Sequence, residues 1–212
     1  MKTSDILSEA PYLHDGKYTQ PDMDKDTYHS NDTLTRNYRH LCTTSSAGVD
    51  INFYLQDNIR CVATIKKKKE KTREESNLIV FSLLFKNVKT IINYPEGIKE
   101  SEVLQVDSVY VRPEFREFGL ASFAYMKLVE AGFIVVSDSS QFEDGKRLWK
   151  KLSREAHFNN YVIHLIDDEE GFLKDKNGEV ITYDSSNIDD AKIWTAGIDL
   201  NGAHILLMMK SK

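Results

Sequence analysis

The chain has few cysteines and few prolines for its length, two and four respectively in 212 residues. Cys42 and Cys61 show no paired CxxC spacing, which argues against a disulfide framework, and we expect free thiols in a reducing compartment. The six histidines are scattered, and none pairs at the i, i+4 spacing of a helical metal site. We therefore expect no bound metal.

The sequence also has no apolar run near the roughly 20 residues that a membrane-spanning helix needs. Residues 1–10 lack the basic and then apolar pattern of a secretory signal. The net charge of −5 argues against broad electrostatic capture of nucleic acid. With 41% hydrophobic and 29% charged residues, the composition is typical of a globular protein. We expect a cytoplasmic protein without a membrane partner.

Hydrophobic periodicity divides the chain into a polar N-terminal part and a strand-rich domain. Residues 1–45 are polar, and we predict an extension or lid that contains a short helix over residues 5–10. Residues 46–212 are predicted to form one mixed α+β domain. Its predicted strands are residues 49–55, 60–65, 78–85, 104–111, 133–137, 161–166, 179–183 and 203–209, and its predicted helices are residues 120–131 and a second one that begins after residue 140.

The order of these elements makes two predictions about the sheet. The first three strands have short links, which suits an antiparallel meander. The unit from residue 104 to residue 137 is strand, helix, strand, which implies a parallel pair with a right-handed crossover. Residues 78–85 form a continuous apolar run, and this predicts a strand that is buried on both faces.

The loop inside that unit indicates an anion site. Residues 112–114 end the strand, and residues 115–119 lead directly into a helix. The first backbone N–H groups of a helix have no partner within it, and the helix dipole is positive there, so a phosphate satisfies both. Gly119 permits close backbone approach and Arg116 adds positive charge. An ordinary strand-to-helix turn with an incidental arginine and glycine is the alternative.

Two motifs within residues 106–152 resemble those of the GNAT superfamily of N-acetyltransferases. The loop of that superfamily, Arg/Gln-x-x-Gly-x-Gly/Ala, is matched here by Arg116-Glu117-Phe118-Gly119-Leu120-Ala121. The resemblance implies a single domain with a mixed, mostly antiparallel central sheet, splayed between its fourth and fifth strands and flanked by helices. It implies acetyl-CoA as the co-substrate. The cofactor-binding residues that it implies are Val109 and Val111 for the pantetheine, through backbone groups, and Arg116, Glu117, Phe118, Gly119, Leu120, Ala121 and Ser122 for the pyrophosphate.

The second motif departs from the superfamily pattern where a general acid is expected. The aligned residues are Gln141, Gly145, Leu148 and Trp149, and Trp149 replaces the usual tyrosine. An indole N–H cannot protonate a departing thiolate. Either the proton comes from solvent or another side chain, or the reaction is lost or altered. The alternative role for Trp149 is that of a core anchor.

Two carboxylates are candidates for the base that acyl transfer to an amine requires. Asp138 ends the strand after the helix, where the splay is expected, and Asp107 lies in the preceding strand. Asp138 is equally explained as a helix N-cap, and Asp107 as a solvent-facing residue. The mechanism implied is direct transfer in a ternary complex, without a nucleophilic side chain.

Two functions stay open at this point. The first is a CoA-dependent N-acyltransferase whose acceptor amine belongs to a small molecule, a protein or a nucleic-acid base. The second is a non-catalytic protein of the same fold that binds CoA or inhibits a host factor. A looser resemblance of residues 138–152 and 193–195 to acetyltransferase-like proteins of bacteriophages implies a host cytoplasm. The basic run Lys66–Lys71 is either a solvated hairpin tip or a contact for nucleic acid.

Overall fold

The computed structural model describes residues 28–68, 75–86, 91, 94–95, 97–138, 143–167, 169–186 and 205–212. The predicted helix over residues 5–10 lies outside these ranges, as do residues 69–71 of the basic run. Within them, none of the helices combines the length and the apolar character that crossing a membrane requires.

Short helices and a large sheet make up the described part of the chain, which is a mixed α+β structure. Its elements are β1 (Tyr28–His29), α1 (Asn31–Asn37), β2 (Arg39–Ser46), β3 (Val49–Gln56), β4 (Arg60–Lys68), β5 (Glu75–Phe85), β6 (Val103–Val111), α2 (Leu120–Glu130), β7 (Ile134–Val136), α3 (Glu143–Glu155), β8 (Tyr161–Asp167), β9 (Gly171–Phe172) and β10 (Ile205–Ser211). Two 3-10 turns, Glu100–Glu102 and Pro113–Phe118, flank β6.

The sheet is open and mostly antiparallel, in the order β2-β3-β4-β5-β6-β7-β10-β8-β9, with β1 added beside β5. The predicted meander of β3, β4 and β5 is confirmed, and β5 is buried along nearly its whole length. The predicted parallel pair is also confirmed, because β6 and β7 run in the same direction on either side of α2. β10 returns from the end of the chain and lies between β7 and β8.

Apolar side chains fill both faces of the sheet, and the helices α2 and α3 cover one of them. Leu104 and Val106 of β6 belong to the same buried cluster as Leu128 of α2 and Leu152 of α3. This follows from the helical spacing of the apolar residues in α2, which presents one stripe to the sheet. On the opposite face, Val103 packs in a second, smaller cluster with residues of β7, β8 and β10.

Two segments differ in detail from the sequence prediction. Residues 28–45 of the predicted extension or lid contain β1, α1 and most of β2, which pairs with β3 along Arg39–Ser46. Because β2 is an edge strand whose side chains are largely solvated, its sequence lacks the alternation of a half-buried strand. Residues 179–183 form isolated bridges at Val180 and Thr182 instead of a continuous strand, although Tyr183 N–H donates to the Ile163 carbonyl of β8 at 2.7 Å.

Candidate functional site

The parallel strands β6 and β7 separate after a short contact. Among the described residues they pair over three positions, which end at Gln105 opposite Val136. The next residue along β7, Ser137, donates its backbone N–H to Leu207 of β10 at 2.9 Å. β6 meanwhile continues to pair with β5 as far as Val111. Beyond this contact, residues 106–111 have no paired strand on their β7 side among the described residues, and this side of β6, next to Ser137 and Asp138, is called the gap below.

The backbone of β6 directs groups away from β5 and toward the gap at two of the predicted positions. Arg112 N–H donates to the Val80 carbonyl at 2.9 Å, and Val111 lies opposite Phe81. Along an antiparallel ladder, successive residues point their N–H and C=O groups alternately toward and away from the partner strand. Because the groups of Arg112 point toward β5, those of Val111 and Val109 point away from it. The Arg116 Nε–H accordingly reaches the Val111 carbonyl from the other side, at 3.5 Å. The Val109 side chain is 38% exposed, so an apolar surface lies beside these groups.

A buried polar contact holds the base of the gap. Gln105 is fully buried, and its Nε2 donates to the Ser137 carbonyl at 3.4 Å. The Ser137 hydroxyl in turn accepts a hydrogen bond from the Leu207 N–H at 3.0 Å. These bonds satisfy polar groups that the separation of the strands would otherwise leave unpaired. The sequence analysis did not identify Gln105, although a glutamine inside an apolar strand is an unusual residue that could have drawn attention to it.

The predicted anion loop leads into the start of α2 through a tight backbone turn. Residues Pro113–Phe118 form a 3-10 turn, and Gly119 follows at φ 67° and ψ 23°, in the left-handed region. A residue with a Cβ is strained there by about 1–2 kcal/mol, so the position favours glycine. No side chain caps the helix in the described structure, and its first turn contains no acidic residue. The free N–H groups at Leu120, Ala121 and Ser122 therefore retain their positive potential.

A lysine from α3 adds charge at this helix start. Lys151 Nζ donates to the Ser122 hydroxyl at 3.1 Å, and that hydroxyl donates to the Gly119 carbonyl at 3.0 Å. A Cβ at Gly119 would lie 3.5 Å from the same ammonium. Lys151 also forms an ion pair with Glu155 at 3.7 Å, within its own helix. No sequence pattern pointed to Lys151, because only the packing of α3 against α2 brings it to the loop.

The remaining loop residues face different surroundings. Phe118 stacks edge-to-face with Phe115, with ring centroids 5.3 Å apart, and both pack against the core. Glu117 and Arg116 are exposed. The structure therefore brings Lys151 to the N–H groups of residues 120–122 and directs Arg116 to the end of β6, whereas the Phe118 side chain contributes to packing.

The two predicted bases occupy unlike positions. Asp138 is 13% exposed and pairs with Lys86 at 2.7 Å. It lies two residues beyond the end of β7, at the gap. Asp107 is exposed and forms a bulge, because Ser108 lies opposite Leu84 while Val106 lies opposite Phe85. A bulge redirects side chains, and here it leaves Asp107 in solvent.

The aromatic residue at the expected general-acid position lies in the core. Trp149 is 2% exposed and packs edge-to-face with Tyr125, with ring centroids 5.5 Å apart. Burial raises the pKa of the Tyr125 phenol, and the Asp138 carboxylate raises that pKa further. Tyr125 therefore stays protonated at neutral pH. Gln141, the first residue of the second motif, lies outside the described residues, as do residues 193–195.

The comparisons with known proteins and the search for metal ligands identified nothing further. No family model, curated protein or solved structure matches this chain. In the described part of the chain, no three histidine, cysteine, aspartate or glutamate side chains are grouped as a metal site requires. Any assignment of function therefore depends on the gap, the loop and the charges around them.

Proposed function

We propose that this chain is a CoA-dependent N-acyltransferase of the GNAT type, with acetyl-CoA as its acyl donor. One observation carries the proposal. The gap between two parallel strands opens directly beside an uncapped, positively charged helix start, and Arg116 Nε connects the two by its hydrogen bond to Val111. An extended ligand with an anionic end fits such a pair of sites.

The residues present fit acetyl-CoA at both ends. The N–H groups of residues 120–122, together with Arg116 and Lys151, suit a pyrophosphate, because they combine a helix start with cationic side chains. The outward-facing backbone groups of Val109 and the N–H of Val111 suit the amides of pantetheine, and the exposed Val109 side chain suits its methylene chain. When bound, acetyl-CoA supplies a thioester whose acyl group an amine can take.

The side chains at the gap suggest a division of roles. Asp138 is the base that this proposal favours, since it lies at the gap, and Lys86 orients its carboxylate through the ion pair. Asp107 is a weaker candidate because its bulge leaves it in solvent. Trp149 is buried and has no proton to give, so the leaving thiolate takes its proton from solvent. Arg116 and Lys151 hold the donor in place.

A second candidate function, a non-catalytic CoA-binding protein, is favoured by two observations. Trp149 serves as a core residue, and Asp138 is engaged by Lys86. Both candidates require the same donor site. They differ only in whether the acyl group is transferred.

Radiolabelled acetyl-CoA, incubated with the full chain and a panel of amines, tests the choice between them. An enzyme transfers label to at least one amine, and Asp138→Asn slows that transfer by about 100-fold, the range for loss of a general base. The same variant should bind acetyl-CoA as wild type does, since its carboxylate is not part of the phosphate site. Binding without transfer to any amine would establish the second candidate, and an absence of binding would reject both.

A further inference from the structure

We propose that an open cleft lined in part by Lys86 binds the carboxylate or phosphate group of a small molecule. The cleft has a volume of about 980 Å3 and lies where the end of α1, the start of β2 and the β3–β4 turn meet. Its described lining includes Arg36, Arg39 and Lys86. None of these residues belongs to the predicted donor site.

Two guanidinium side chains belong to the described lining of the cleft. Arg36 and Arg39 stand against one carboxylate, Asp57, while the ammonium of Lys86 is paired with Asp138. Arg36 also pairs with Asp32 at 3.7 Å, but both side chains are about four-fifths exposed. Ion pairs between such exposed side chains contribute little interaction free energy. Two guanidinium groups in a concave place attract anions, even on a chain with a net charge of −5.

Arg39 is held in a way that suits anion recognition. Its guanidinium carbon lies 5.7 Å from the centroid of the Phe133 ring. Contact with an aromatic ring restricts the side chain while its N–H groups stay available, and a guanidinium binds carboxylate or phosphate through two parallel hydrogen bonds. The side chains of Gln56 and Asn58 lie in the same lining and offer further hydrogen bonds. A volume near 1,000 Å3 is at the upper end of the range for small-molecule sites.

Lys86 connects this cleft to the gap. It lines the cleft and also pairs with Asp138 at 2.7 Å. A ligand anchored by Arg39 would thus lie in a cleft that shares Lys86 with the favoured base. We infer that the acceptor is a small amine that also bears a carboxylate or phosphate, an assignment that rests on the proposed function, whereas anion binding in the cleft does not.

Nuclear magnetic resonance on the 15N-labelled full chain tests the binding. Inorganic phosphate is titrated to millimolar concentration at constant ionic strength, and glutarate is titrated in a second sample to distinguish phosphate from carboxylate recognition. We expect saturable shifts of the backbone amides at Arg39, Asn58 and Phe133 with at least one anion. Arg39→Met should weaken that response about tenfold, as the loss of a charge-assisted pair implies.

Two controls make the outcome decisive. Lys68→Met removes an exposed cation of β4 outside the cleft, and it should leave the affinity within about twofold. If Arg39→Met loses its dispersed spectrum, Arg36→Met takes its place. Wild-type amides in the cleft that do not respond to either anion would overturn the proposal, as would an equal loss in Lys68→Met.

Adding acetyl-CoA separates this proposal from the proposed function. Acetyl-CoA should displace phosphate from the start of α2, at residues 119–122, and leave the cleft response in place. A cleft that responds while acetyl-CoA shifts no amide would reject the proposed function and keep the anion site. If acetyl-CoA binds but neither anion shifts the backbone amides of the cleft, the anion site alone is rejected.

Discussion

Replacing Lys151 by methionine should weaken CoA binding by a predictable amount. A phosphate at the start of α2 would lie about 5 Å from Nζ, and two unit charges at that distance interact by about 3 kcal/mol at an effective dielectric constant of about 20. The Lys151 side chain is 45% exposed and also pairs with Glu155. Solvent screening and this pairing reduce the interaction energy with the phosphate to about 1–1.5 kcal/mol. The expected loss of affinity is about five- to twelvefold.

Calorimetric titration with CoA at low and high salt measures this loss. Arg154→Met is the matched control, because it removes the same charge from an exposed position of the same helix. Its affinity should stay within about twofold of wild type. The difference between the two variants should shrink at high salt, since screening weakens exposed charges. A Lys151→Met protein that binds CoA as wild type does, or a control that loses as much, would refute the placement of the phosphate.

Three further predictions concern the supporting structure. Gln105→Ala leaves the buried Ser137 carbonyl without its partner and should lower the free energy of unfolding by about 1–3 kcal/mol, measured by urea denaturation. Lys86→Met removes the cation that pairs with the Asp138 carboxylate and should lower the free energy of unfolding by a similar amount. In a double-mutant cycle, adding Asp138→Asn should restore part of that loss, and additive effects would contradict the pairing. Burial raises the pKa of the Cys61 thiol to about 12, so at pH 8 Ellman's reagent should label the other cysteine first, and rapid labelling of both in the folded protein would contradict the burial.

The fold could be predicted from the sequence wherever a structural feature depends on residues that are adjacent in the chain. The apolar run of β5, the strand–helix–strand order around α2 and the glycine before that helix were all recognisable, since each depends on residues adjacent in the chain. Gly119 adopts a left-handed φ, which favours glycine for a conformational reason of its own. The parallel pairing of β6 and β7 followed from the length of the connection between them.

Long-range contacts were not recognisable from the sequence. Lys151 reaches Ser122 across 29 residues, and Lys86 reaches Asp138 across 52. Such contacts depend on how helices and strands pack, and a lone lysine carries no sign of its partner. β2 was missed for a related reason, because an edge strand lacks the buried stripe that makes a strand visible in the sequence.

The most direct measurement of the central claim is the melting temperature of the full chain with saturating acetyl-CoA, compared between Gly119→Asn and Gly119→Asp. Both residues tolerate the left-handed backbone better than most, so they differ mainly by one negative charge at the phosphate site. Wild type and Gly119→Asn should be stabilised, by about 2.7 kcal/mol when the ligand is at about 100 times its Kd, whereas Gly119→Asp should show no shift. A wild type that acetyl-CoA does not stabilise, or a Gly119→Asp protein stabilised as much as Gly119→Asn, would contradict the account.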